Sequence, residues 1–129
     1  MKLRIKGNSV RLRLGQSEVI GLVQRGYLED RTEFGDGDLV YRLEMSEEVT
    51  VVTASFQKGQ IYVTVPRETA VNWAVGDAVG IDGIQALADG ELKILIEKDF
   101  ECLNPAHGDQ ADAFPHPLSG TACTGDPLA

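Results

Sequence analysis

Five cations stand at alternate positions near the start of the chain: Lys2, Arg4 and Lys6 before Gly7-Asn8-Ser9, then Arg11 and Arg13 after it. Alternate side chains of a strand share a face, so a ribbon formed here carries all five on one side. The planar fork of arginine grips phosphate or carboxylate through two parallel hydrogen bonds, and lysine adds a point charge. The chemistry on offer is anion binding, for a nucleotide, a polyphosphate or an acidic protein segment. The competing reading is a solvated face, or one bridged to acids of the same chain such as Glu97 and Glu44. Like charges placed opposite one another repel, so such a ribbon calls for an anion.

A second set of reactive types lies near the other end. Cys102, His107, His116 and Cys123 follow the spacing C-x4-H-x8-H-x6-C. Thiolate and imidazole suit zinc, but structural zinc sites favour close Cys pairs and close His pairs, and neither is present. Cys102, His107 and His116 are therefore weak metal candidates, set against a buried cysteine and loop histidines. Cys102 with His107 or His116 and Asp109 or Asp112 has the composition of a thiol triad. Glu97, Asp99 and Glu101, at every second position, would share a strand face able to hold a divalent cation. The chain has no G-x-S-x-G, P-loop or G-x-G-x-x-G motif, and no cofactor is specified.

The elements that must position these groups follow from periodicity. Residues 2–6 and 10–14 alternate as two strands. A tight turn at Asn8-Ser9 would pair Lys6 with Arg11 and Arg4 with Arg13, with the apolar residues on the opposite face. Ser17 is placed to cap a short helix through Val19, Ile20, Leu22 and Val23, which Gly26 ends. Strands are expected at 27–33, 39–45, 49–56 and 61–65, with a hairpin turn at Lys58-Gly59. Pro66 then opens a helix over 67–74 containing Trp73, and strands follow at 79–81 and 92–97. The order β-β-α-β-β-β-β-α-β-β with short connections predicts an α+β domain. Its architecture is a curved antiparallel sheet or partly open barrel of about eight strands with two short helices. No internal repeat is visible.

Residues 1–117 read as a single domain. From about residue 100 the chain is expected to dock as a strap through Phe100, Leu103 and Phe114, with Asp109 and Asp112 facing the basic ribbon. Residues 118–129 have the composition of a disordered tail. The net charge is −8, yet residues 2–25 hold six cations and one acid, Glu18. An acidic chain argues against general binding to nucleic-acid backbones. No apolar run reaches the ~20 residues of a membrane helix. No signal peptide is visible at the N-terminus, so the cytoplasm is the expected compartment and free thiols are expected there.

The two ends, MKLRIKGNSVRLRL and LKILIEKDFECL, resemble a family of small bacterial proteins of unknown function, which implies one domain and no assigned activity. A further stretch, IYVTVPRETAVNWAVGDAVGID (residues 61–82), resembles the strand-Pro-helix-Gly-Asp-strand unit of AbrB-type swapped-hairpin transcription regulators. That resemblance implies interlocked hairpins in a dimer and basic loops on DNA. Three functions follow. One is a non-enzymatic binding module whose basic hairpin takes an anionic ligand or acidic partner. Another is a metal-dependent enzyme on a phosphorylated small molecule, with Glu97 or Glu44 on the metal. The third is a dimeric regulator of the swapped-hairpin kind.

Overall fold

A computed structural model describes residues 1–100 and 112–114. Eight strands and two helices run in the order β1 (Lys2–Ile5), β2 (Ser9–Leu14), α1 (Gln16–Arg25), β3 (Tyr27–Glu33), β4 (Asp38–Ser46), β5 (Thr53–Gln57), β6 (Gln60–Pro66), α2 (Arg67–Val75), β7 (Gly80–Leu87) and β8 (Gly90–Lys98). The fold is α+β and partly open, as the order of elements implied. The strands form two four-stranded sheets, sheet A in the order β1-β2-β8-β7 and sheet B in the order β3-β4-β6-β5. Every hairpin is antiparallel, but the two central contacts, β2 with β8 and β4 with β6, are parallel. Short-range connectivity predicts only the hairpins; the parallel contacts join strands far apart in sequence.

The topology is two-fold. The first half supplies hairpin β1–β2, helix α1 and hairpin β3–β4. The second half supplies β5–β6, α2 and β7–β8. Each sheet joins the first hairpin of one half to the second hairpin of the other. In sheet A Leu12 lies beside Ile96, and in sheet B Val63 lies beside Leu43. All four are fully buried, so Leu12 matches Val63 and Ile96 matches Leu43. In this register no residue of 1–25 recurs in 52–76, which hides the repeat from a reading of identities. The second hairpins keep more: Asp36, Gly37, Leu39 and Glu44 recur as Asp89, Gly90, Leu92 and Glu97.

The inner faces form one core of Leu12, Leu14, Leu43, Val63, Val65, Ile94 and Ile96, closed by Val19 and Leu22 of α1 and Ala70 and Trp73 of α2. Burying each large aliphatic side chain contributes about 1.5–3 kcal/mol. Trp73 satisfies its indole N–H on the Val79 carbonyl at 3.1 Å.

Several local expectations need correction. The first turn is Gly7-Asn8, with Lys6 N–H donating to Ser9 O at 3.2 Å and Gly7 at φ +54°. The ribbon therefore pairs Lys2 with Arg13 and Arg4 with Arg11. A two-residue shift in register leaves every side chain on its expected face. Lys58-Gly59 does form its turn, with both residues at positive φ, as a type I′ two-residue hairpin requires. Strand β5 begins at Thr53, because 47–52 link the two halves, and β7 runs on from Gly80 to Leu87.

Candidate functional site

The outer face of sheet A collects Lys2 and Arg4 from β1, Arg11 and Arg13 from β2, and Lys93 from β8, with Lys6 at the rim. Their strand neighbours Leu3, Leu12 and Ile94 face inward. Acids enter the same face as Asp82, Glu91 and Glu97, with Asp99 just beyond β8. Arg11 and Arg13 both donate to Glu97 Oε1, Arg13 through Nε at 2.8 Å. The Glu97 side chain is only 13% exposed. Lys2 Nζ lies 2.7 Å from Asp99 Oδ2. The ribbon is thus partly bridged to acids of its own chain, and among the described residues cations outnumber acids on the face. Glu44, the other acid expected against the ribbon, lies on sheet B, where Arg42 Nε donates to it at 3.2 Å and Thr64 at 3.4 Å.

The strand registers place cation beside cation. Lys2 stands opposite Arg13 and Arg4 opposite Arg11, ~5 Å apart across the strands. Two guanidinium groups on one carboxylate are held rigid. Lys93 was not singled out from sequence, although its place in the alternation of Leu92–Glu97 puts it on the same face.

Asp112 does not face the ribbon. Its backbone carbonyl accepts the Gln16 N–H at 2.8 Å. Its carboxylate accepts the Ser17 N–H at 3.1 Å and the Ser17 hydroxyl at 2.6 Å. The N-cap of α1 is Gly15, not Ser17, and glycine has no side chain to accept the free N–H groups of the first turn. Glu18 reaches back to the Gly15 N–H at 3.0 Å, and Asp112 supplies the rest. A Cβ at residue 15 would lie 2.7 Å from the Asp112 carbonyl oxygen, so glycine makes room for its own substitute cap. The hydrogen bonds from Ser17 hold the Asp112 carboxyl below the usual range.

Beside Asp112, Phe114 donates its N–H to Asp99 O at 2.7 Å and stacks tilted on Phe100 with ring centres 5.9 Å apart. Beneath it Lys98, 6% exposed, donates to the Gly76 carbonyl at 2.8 Å. Its ammonium lies 5.9 Å from the Trp73 ring centre and 5.4 Å from that of Phe114. A cation at the C-terminus of α2 complements the helix dipole. The matched position in the first half is Met45, at a helix end closed instead by Gly26 at φ +88°.

Elsewhere the Met1 ammonium bonds Glu18 and lies 3.1 Å from Asp30 Oδ2. Burial pushes its pKa down, but the hydrogen bonds and charges of Glu18 and Asp30 outweigh that and hold it above its ordinary value. At the hairpin-turn end of the molecule an apolar groove of about 700 Å³ is lined by Ile5, Leu39, Phe56, Ile61 and Leu92.

Among the described residues no three His, Cys, Asp or Glu side chains come together as a metal site. Of the acidic triplet, Glu97 serves the arginines and Asp99 serves Lys2. Glu101, Cys102, Leu103, His107, Asp109, His116 and Cys123 lie outside the described residues. Among the described residues no helix is long and apolar enough to cross a membrane.

Compared with known families, the chain matches one described as Family of unknown function (DUF7009) over residues 1–118. Neither the curated proteins nor the solved structures contain a match.

Proposed function

The chain belongs to that family of unknown function, and we propose that it is a binding module whose basic outer face on sheet A takes an anionic ligand. The observation that carries this reading is the contrast with sheet B. The strand positions of Arg4, Arg11 and Arg13 are matched there by Ser55, Tyr62 and Thr64, as the two sets of registers align. The matched hairpin is built without charge at these positions, so the fold does not require the cations. Cations gathered on one face raise the local positive potential, which draws an incoming anion. Arg11 and Arg13, already immobilised on Glu97, bind at a smaller loss of side-chain freedom.

The test is a thermal-shift titration of the full chain at low ionic strength with inorganic triphosphate, a penta-glutamate peptide and a DNA duplex. Triphosphate or the peptide should raise the melting temperature, and the variant Arg4→Glu with Arg13→Glu should lose that response while still folding. No response to either probe overturns the reading. A response to duplex DNA alone replaces it with the regulator reading, which draws support from the interlocked hairpins.

A further inference from the structure

Resting on that reading, we infer that the ligand is an organic phosphate with a flat apolar body, the chemistry of a nucleotide, rather than a bare polyanion. Next to Arg11 the outer face of sheet A sinks into a hollow of about 400 Å³ whose lining includes Arg11, Asp82, Ile84, Lys93 and Leu95. That volume falls within the range of small-molecule sites. Its floor is apolar: Leu95 is half-buried and Ile84 is 65% exposed on a face otherwise carrying charge. Arg11 and Lys93 stand on its wall, so a phosphate on the arginine pairs leaves an attached ring over Ile84 and Leu95. Asp82 repels an anion from the side of β7 and accepts a hydrogen bond from a hydroxyl or amino group of the body. Charge therefore orients the ligand across the strands, phosphate toward β1 and β2, body toward β7.

Sheet B shows what the same place looks like without such a use. Ile84 is matched by Arg31, which bonds Asp38 at 2.8 Å. Leu95 is matched by Arg42, whose guanidinium lies 4.0 Å over the Tyr27 ring. Lys93 is matched by Val40, which is buried. At the first two of these positions long side chains on sheet B stand where shorter apolar ones form the floor of the hollow on sheet A.

Calorimetric titration of the full chain with ATP and with inorganic triphosphate, both free of divalent metal, decides the matter. ATP should bind at least tenfold more tightly, and Ile84→Thr should bring ATP down to the affinity of triphosphate while leaving triphosphate unchanged. On the unmodified chain, phenyl phosphate should likewise bind more tightly than inorganic phosphate, a comparison that needs no variant. Equal affinities for the two triphosphates overturn this inference and leave anion binding intact, as does an Ile84→Thr variant that weakens both alike. No binding of any of these phosphates overturns this inference, and together with no response to the acidic peptide it removes the anion-binding reading as well.

Discussion

Sheets A and B are built from matched hairpins on one frame, and among the described residues their outer faces carry opposite charge. Sheet A presents Lys2, Arg4, Lys6, Arg11, Arg13 and Lys93 against Asp82, Glu91, Glu97 and Asp99. Sheet B presents Arg31 and Arg42 against Glu29, Glu33, Asp38 and Glu44. A glutamate recurs at the same place in both, Glu97 and Glu44, but its cationic partners come from different strands. On sheet A the arginines reach it from the neighbouring strand β2; on sheet B Arg42 reaches it from its own strand. Inner positions other than Lys98 at the end of β8 are held largely apolar by the shared core, and outer positions are free to differ. The basic face is therefore a property of one sheet and not of the architecture.

The largest loss is expected where the two sheets share one core. Leu43→Ala and Ile96→Ala remove matched, fully buried side chains, and each should cost about 2–5 kcal/mol. Because both sheets line one core, urea unfolding of either variant should remain a single transition. Two separated transitions would show that the halves are independent units.

Next in size is the pair of matched glutamates. Glu97→Gln leaves Arg11 and Arg13 facing each other without their shared carboxylate, and should cost about 1.5–3 kcal/mol. Glu44, 34% exposed and held by weaker contacts, should cost under ~1 kcal/mol when changed to Gln. Equal losses in urea titrations would remove the distinction drawn between the two faces.

A smaller effect separates the two helix starts. Asp112→Ala should lower the melting temperature at neutral pH, and Gly15→Ala should do the same by displacing Asp112. The Asp112 carboxyl is held below its ordinary value of 3.8, so its contribution is present above that pH. It is lost as pH falls through the lower folded value. Melting curves of Asp112→Ala and the unmodified chain should therefore converge well below pH 3.8. A gap that persists in strong acid would mean that the carboxylate is not the cap.

Much of the fold was legible from residues near one another. Alternation in Lys2–Leu14 placed the cations on one face whichever register the turn chose, since a shift by two residues preserves the pleat. Lys58-Gly59 between two β-branched runs specified its turn locally. The parallel contacts of β2 with β8 and of β4 with β6 were not legible, because they join segments whose only shared signal is an apolar inner face. The two-fold was hidden for a related reason: Leu12 and Val63 do the same work as different residues. At the site, the five ribbon cations and Glu97 could be named from charge and spacing. Lys93 shares its face with Glu97 by alternation alone, whereas Asp82 and Ile84 join them only because β7 runs on past Ile81 to Leu87. The expectation that Asp112 faces the ribbon missed that Gly15 leaves the start of α1 without a cap of its own.

The most direct test of the central claim makes the outer face of sheet A neutral after the pattern of sheet B. Arg4→Ser, Arg11→Tyr and Arg13→Thr give β1 and β2 the residues matched at Ser55, Tyr62 and Thr64, and Glu97→Gln removes the carboxylate they would otherwise orphan. Replacing a whole charged cluster by neutral groups is near-neutral for stability, so this variant should melt within a few degrees of the unmodified chain. Its thermal response to inorganic triphosphate should be gone. A variant that fails to fold would show that the arginines belong to the fold, and one that responds to triphosphate as before would show that the anion binds elsewhere; either result contradicts the account.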